Sequence, residues 1–371
     1  MSELRQIVAL WREAKARQEE VCLATVMKVE GSSYRKPGAR MLLARGGQRA
    51  GTISGGCLEA EVTKKAWWLT EKGSTIQRYS SFFDDDSPAP YGLGCGGTVH
   101  VLLERGEAAH AVLNALELNL NVRIPFVIIT DTDKMATILV QQAPGERLFS
   151  SSPEISEFEN LAQRVAEQKH SFYTTVQINS NLAAELFVEY VAPTPALIIF
   201  GAGDDAKPLA DFAYKLGWYV TIADGRSHLA RAERFPQADR LTMLDYDQVT
   251  PLQDLAIESA AAVLLTHSYE QDRALLRELL PRNPKYLGIL GPRQRTERLV
   301  GEISRQLGMT DEECMARLHA PVGFDIGAHT PDSIALSIVT EIFAVLHGRD
   351  GLSLKESIQA REHIYTKLTH V

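Results

Sequence analysis

The sequence is poor in cysteine, in unbroken apolar runs and in excess positive charge, and each shortage closes off a class of protein. Its four cysteines, Cys22, Cys57, Cys95 and Cys314, are scattered over 371 residues with no C-x-x-C pair. A disulfide framework or a dedicated zinc site would need them denser or paired. No apolar run approaches the roughly 20 residues that cross a bilayer as a helix. The first segment, MSELRQIVALWREAKARQEE, alternates charged and apolar residues at helical spacing and lacks a signal peptide's apolar stretch. The expectation is a cytoplasmic protein with no membrane partner. Lysine and arginine number 39 against 47 aspartates and glutamates, a net charge of −8. With no basic stripe to neutralise phosphates, nucleic acid is not an expected partner. Internal repeats and low-complexity tracts are missing too.

What is present is a chain able to bury a core. Hydrophobic residues make up 45% and charged residues 23%, ordinary values for packed protein, and the length calls for two domains. The clearest boundary is Ala192-Pro193-Thr194-Pro195. Two prolines two apart continue neither a helix nor a central strand, so they mark a stiff connector between domains 1–193 and 194–371. Upstream, helices (Leu4 to Lys15, Cys57 to Thr70, Glu154 to Gln168) mix with strands (Val21 to Val29, Met41 to Ala44, Thr98 to Glu104, Val122 to Asp131, Met135 to Gln141, Ser171 to Ile178, Ala184 to Val191). That mixture predicts an α+β domain. Downstream the alternation is regular, starting from the short apolar strand Ala196 to Phe200. It predicts a Rossmann-like, doubly wound parallel sheet, so the whole chain reads as α/β.

Gly201-Ala202-Gly203-Asp204-Asp205-Ala206 follows that strand, opens a helix and fits G-x-G-x-x-[GA], and Asp224 ends the next strand. In dinucleotide folds the first glycine permits the turn, the second lets a ligand approach the backbone, and the acidic residue holds a ribose hydroxyl. The paired aspartates speak against a bound pyrophosphate. Asp204 and Asp205 sit at the helix end where a phosphate would, able to cap the same donors and repel it. Asp224 can equally end its strand in a local ion pair with Arg226.

Two loops place a cysteine among glycines: Ile53-Ser54-Gly55-Gly56-Cys57-Leu58-Glu59 and Gly92-Leu93-Gly94-Cys95-Gly96-Gly97. Glycine at this density costs chain entropy and marks strained backbone or close approach of a ligand. A cysteine at a helix start has its thiolate favoured, as a nucleophile or soft-metal ligand. Cys57 and Cys95 are therefore candidates, while Cys22 and Cys314 read as core filling. Spacing does not say whether the two loops meet. The segment Glu30 to Ala39 reads either as an anion cradle, using Arg35 and Lys36, or as a solvated connector.

In the second half, loops at the carboxyl ends of strands are where open α/β sheets bind ligands. His267 stands on one such loop, with Asp272 placed either to orient it or to favour its helix N-terminus. Gly291-Pro292-Arg293 forms another corner, where Arg293 could grip an anion and Arg295 reads as a solvated helix residue. Thr330-Pro331-Asp332 reads as a helix cap.

Taken in order, GTISGGCLEAEV, GLGCGGTVHVLLE, GAGDDAKPLADFAYKLGWYVTIADGR, ERFPQAD, LLTHSYEQD, YLGILGPRQR and GFDIGAHTPDSIALSIVTEI resemble the XdhC/CoxI proteins over nearly the whole chain, least from about Glu107 to Val191. The resemblance implies an accessory protein that binds molybdenum cofactor (molybdopterin) and assists its sulfuration and insertion into a xanthine dehydrogenase-type enzyme. That is a chaperone more than a catalyst. It also implies that Cys57 and Cys95 fall on glycine–cysteine motifs of the family, and Gly201, Gly203, Asp224 and His267 on its Rossmann-like site. Ala202, Arg226, Gly291 and Arg293 complete the candidate cofactor-binding set, and no residue is assigned to catalysis or to a metal. Many family members carry histidine where this chain has Asp204, a departure that puts NAD-type phosphate contacts in doubt. The implied partner is a molybdenum hydroxylase apo-enzyme; a cysteine desulfurase and a second copy of the chain are further candidates. The alternative from the residues alone is an NAD(P)-dependent oxidoreductase.

Overall fold

The computed structural model describes residues 2–56, 58–80, 97–143, 145–151, 155–179, 182–245, 250–353 and 355. The chain divides into two compact units, Met1–Thr194 and Pro195–Val371.

The first unit contains α1 (Glu3–Ala16), β1 (Val21–Gly31), β2 (Arg40–Ala44), β3 (Arg49–Gly51), α2 (Glu59–Leu69), β4 (Thr75–Ser80), β5 (Gly97–Glu104), α3 (Gly106–Val122), β6 (Phe126–Asp131), β7 (Ala136–Gln142), β8 (Arg147–Ser150), α4 (Ile155–Gln168), β9 (Phe172–Asn179) and β10 (Leu182–Val191). Two antiparallel five-stranded sheets result, in the orders β3-β2-β1-β5-β4 and β8-β7-β6-β10-β9. Val21 to Met27 of β1 are all buried because alternate side chains feed two cores. Val21 and Leu23 join α1 and α3, while Cys22, Ala24 and Val26 join α2.

Helix α3 is not among the elements expected from the sequence, and the strand expected from Val122 begins only at Phe126. Ala109, Val112, Leu113, Leu116 and Leu120 of α3 are buried against residues of both sheets, while Glu107, His110, Asn114, Glu117 and Asn121 recur at helical spacing as its polar stripe. Its end is marked by Arg123 in the left-handed region (φ 58°). Helix α4 covers the opposite face of the second sheet. Between the sheets lie a small apolar contact of Met27, Leu102 and Phe187 and a buried Arg40–Glu189 ion pair. Glu104, also buried, accepts hydrogen bonds from the N–H (2.6 Å) and hydroxyl (2.9 Å) of Thr137.

The second unit contains β11 (Ala196–Phe200), α5 (Ala206–Lys215), β12 (Tyr219–Asp224), β13 (Arg240–Met243), α6 (Thr250–Gln253), β14 (Ala261–Leu264), α7 (Tyr269–Arg282), β15 (Tyr286–Ile289), α8 (Arg293–Leu307), α9 (Asp311–Ala316) and α10 (Pro331–Leu346). Its sheet is parallel, in the order β13-β12-β11-β14-β15. Helices α5 and α10 cover one face and α7 and α8 the other. This is the expected Rossmann-like arrangement, and it places the switch in strand order between β11 and β14. The cap expected before α10 is present: Thr330 and Ser333 bond reciprocally, with Pro331 at the helix start.

Candidate functional site

The glycine turn after β11 is closed by its own neighbours. Gly201 has φ +119°, and a Cβ there would lie 2.3 Å from the carbonyl oxygen of Leu265, so only glycine fits. Asp224, fully buried at the end of β12, reaches back to the turn. Its Oδ2 accepts the Ala202 N–H at 2.7 Å and an Arg226 guanidinium N–H at 2.7 Å. Its Oδ1 accepts the Arg226 backbone N–H at 2.8 Å and the Arg226 Nε–H at 3.0 Å. A carboxylate offers about four lone-pair sites, and all are filled. Burial pushes the Asp224 carboxyl up, but the bonds from Arg226 and Ala202 outweigh it and hold the group below the usual carboxylate range.

The paired aspartates act differently from expectation. Neither caps the helix: Asp205 stands at the N-cap without a side-chain bond to the backbone. Asp204 pairs with Lys207 (2.7 Å) and Arg234 (3.0 Å). Asp205 pairs with His267 across the switch point, Oδ2 to Nε2 at 2.7 Å. His267 adopts φ 58°, unusual for a residue with a side chain, and its ring is more than half exposed. Sequence distance hides this pairing, since the two residues stand 62 positions apart.

Two expectations for the neighbouring corners are corrected. Arg295, read as solvated, pairs at 2.7 Å with Asp272, which is buried. Asp272 also accepts the Thr266 hydroxyl at 2.6 Å, so it fixes the loop rather than gripping His267. Burial raises its pKa against the opposing pull of Thr266 and Arg295. Arg293 lies exposed and pairs with Glu297 one turn along α8. Gly291 takes φ +132°, which only glycine adopts freely.

In the first unit, Cys57 and Cys95 themselves lie outside the described residues. The backbone around their loops is informative. Glu59 Oε1 accepts the N–H groups of Ile53 (3.1 Å) and Ser54 (2.8 Å), and Oε2 accepts the Ser54 hydroxyl (2.6 Å). Ser54 Oγ in turn accepts the N–H groups of Gly56 and Leu58, each at 3.2 Å. Burial opposes ionisation of Glu59, yet these donors hold its pKa below the usual value. A sequence signal existed, a serine five residues before a glutamate at a helix start, but it resembles no standard cap.

The segment between β1 and β2 lies beside the described flanks of both loops. A Cβ on Gly55 would lie 3.9 Å from the Tyr34 ring, and one on Gly97 would lie 2.1 Å from the Ser32 carbonyl oxygen. Arg35, a candidate anion cradle, instead donates to Glu3, which also receives the Thr52 hydroxyl. The flanks of the two glycine–cysteine loops therefore share one neighbour, residues 32–34. Among the described residues, no three His, Cys, Asp or Glu side chains gather as they would around a metal ion. No described helix is long and apolar enough to cross a membrane.

Comparison with known proteins gives two family matches, the XdhC and CoxI family over residues 14–80 and the XdhC Rossmann domain over residues 197–342. A relative from Bacillus subtilis (strain 168), described as a probable subunit of xanthine dehydrogenase, is 32% identical over 331 residues, spanning 88% of this chain and 93% of that one. The "Molybdenum cofactor insertion chaperone PaoD" of Escherichia coli (strain K12) is 26% identical over 95% of this chain and 92% of that one. A crystal structure described as a xanthine dehydrogenase from Bacillus halodurans superposes with a TM-score of 0.72 at 28% identity, covering 96% of this chain and 98% of that one.

Proposed function

The chain belongs to the XdhC/CoxI family, and from that premise we propose that it binds molybdenum cofactor and assists its sulfuration and insertion into a molybdenum hydroxylase of the xanthine dehydrogenase type. The observation that supports the reading is the shared neighbour, residues 32–34, of the described flanks Gly55 and Gly97 of the two glycine–cysteine loops. Molybdopterin brings a phosphate and a dithiolene-bound metal. A carrier needs soft donors and peptide N–H groups on loops free of bulky side chains. In this reading Cys57 and Cys95 supply the thiols, and the Ser54–Glu59 clasp fixes the backbone ahead of Cys57. The relative named as an insertion chaperone supports the same role. The partners are the apo-enzyme that receives the cofactor and a cysteine desulfurase that supplies sulfur.

In the second unit, Gly203, His267 and Gly291 are the positions we keep as ligand-facing. Ala202, Asp224 and Arg226 are engaged with one another, which argues against an NAD(P)-dependent oxidoreductase. A ribose hydroxyl would have to displace a buried charged hydrogen bond, at a cost of about 1.5–3 kcal/mol.

Anaerobic co-purification tests the proposal. Molybdenum and pterin are assayed on the wild type and on Cys57→Ala and Cys95→Ala. The wild type retains both in near-equal amount and each variant loses most of them. A wild type free of cofactor overturns the reading. Calorimetric titration with NAD and NADP is the companion measurement, and tight binding of either would favour the oxidoreductase.

A further inference from the structure

The outermost strand of a sheet can pair with another chain, and proteins blunt such edges with charge, proline, shortness or a covering segment. Of the six edges of the described sheets, five are blunted. β3 has three residues and β8 and β13 four each, with Arg49, Arg147 and Arg240 among them, and β4 carries Arg78. Beside β15, His319 donates its N–H to the Leu287 carbonyl and accepts the Ile289 N–H, so that edge is covered. The sixth edge is β9. Its eight residues, FYTTVQIN, include no charge, proline or glycine, and are rich in the types that favour extended chain. Among the described residues β9 pairs on one side only, with β10.

Phe172 and Val176 of β9 pack on the α4 side of the sheet, and Tyr173 and Thr175 point the other way. Tyr173, Thr174 and Thr175 all line a groove of about 620 Å³. Three consecutive residues belong to both faces of a strand, so the groove runs beside the backbone edge. On β10, Glu185 stands opposite Thr175, and Phe187 stands opposite Tyr173 with the rings stacked at 4.9 Å. Residues directly opposite share a face, which puts Glu185 and Tyr173 on the same wall. Glu185 is exposed, and its carboxylate has no partner among the described residues. Asp133 lies beside it and accepts its backbone N–H at 3.2 Å. Across the groove, Lys28 is paired with Glu30 at 3.1 Å, and burial holds the His100 imidazole below its usual pKa, uncharged at neutral pH. The uncompensated charge in the groove is therefore negative.

We propose that β9 accepts an extended segment of a partner protein as an added strand, with an arginine of that segment reaching over Thr175 to Glu185 and Asp133. In strand addition, backbone pairing supplies affinity and alternate side chains supply selectivity. Thr175 is short, so a long side chain set opposite it crosses to the next strand, where Glu185 stands. A guanidinium meets a carboxylate through paired N–H groups and also lies flat on an aromatic ring, here Tyr173, which is 46% exposed. An ammonium would match the charge and not the plane. A second copy of β9 brings no cation and would leave Glu185 and Asp133 unmatched. The inference goes beyond the carrier role and does not depend on it.

The test uses the full-length protein and short capped peptides in which threonine and valine alternate around a central arginine. One control peptide has citrulline in its place, which keeps the shape and loses the charge. Another is N-methylated along the backbone, which blocks strand pairing. Binding is read by fluorescence anisotropy and by hydrogen exchange. The arginine peptide binds and slows exchange along Phe172 to Gln177. Citrulline in the peptide, or Glu185→Gln in the protein, weakens binding at least about tenfold, the loss expected for one charged hydrogen bond. The N-methylated peptide does not bind. Thr175→Lys gives this edge the charge that others carry and abolishes binding. Both positions are exposed, so both variants keep the wild-type melting temperature. Equal binding of the arginine and citrulline peptides, or by wild type and Glu185→Gln, overturns the proposal, as does binding that survives N-methylation. No binding by any peptide overturns it as well, and a wild type that is dimeric in sedimentation while Thr175→Lys is monomeric would give the edge to a second copy instead.

Discussion

The glycine turn after β11 and the glycine loop before α2 use the same ingredients and end in opposite states. In each, a carboxylate folds back onto backbone N–H groups: Asp224 onto Ala202, and Glu59 onto Ile53 and Ser54. At Gly201, however, a Cβ would strike the backbone at 2.3 Å, while at Gly56 it would meet nothing within 4 Å among the described residues. One glycine is there because protein fills the space. The other has φ +114° and, among the described residues, no atom in the way of a side chain. A glycine motif thus reports a backbone requirement, and only the surrounding atoms say whether a ligand has room.

The largest effect that tests this contrast belongs to Asp224. Replacement by alanine removes the four hydrogen bonds that Asp224 accepts and leaves the Ala202 N–H without its acceptor, and should destabilise the second unit by about 3–4 kcal/mol in denaturant unfolding. Because the folded-state pKa of Asp224 is depressed, its contribution is complete above the ordinary aspartate pKa and fades as pH falls through the lower folded value. Asp224→Ala should flatten the acid limb of the stability curve. An unchanged limb would mean that the carboxylate does not hold the turn.

Next comes the pair of glycines. Gly201→Ala meets both a backbone clash and a positive φ, and should cost roughly 3 kcal/mol or more. Gly56→Ala meets the φ penalty alone, about 1–2 kcal/mol. Equal losses in melting experiments would erase the distinction between a filled and an open turn.

Smallest is Glu59→Gln. The amide oxygen can keep the two backbone donors, but the Ser54 hydroxyl loses its acceptor, a loss of about 1 kcal/mol. Hydrogen exchange at Ser54, Gly56 and Leu58 should accelerate while the second unit is unaffected. Unaltered exchange would show that the clasp does not order the loop.

The parallel sheet was legible because strand, glycine turn, helix and acidic residue follow one another within a few dozen residues, and the turn's tight packing could be anticipated. What joined distant positions could not. Asp205 meets His267 only once β11 and β14 are neighbours, and Arg295 finds Asp272 only when α7 and α8 pack side by side. Lys28 stands opposite His100 only because a β-bulge between Val26 and Lys28 sets the register of β1 on β5. No local pattern encodes that offset. Helix α3, by contrast, was legible, because Glu107, His110, Asn114, Glu117 and Asn121 mark one polar face at helical spacing.

That same helix has a mechanical consequence. Because α3 belongs to the interior of both antiparallel sheets, neither sheet can loosen while the other stays intact without baring the same leucines to water. The first unit should therefore melt and refold as a single cooperative block. A strain applied at the loops of one sheet would be felt, through that spine, at the turns of the other.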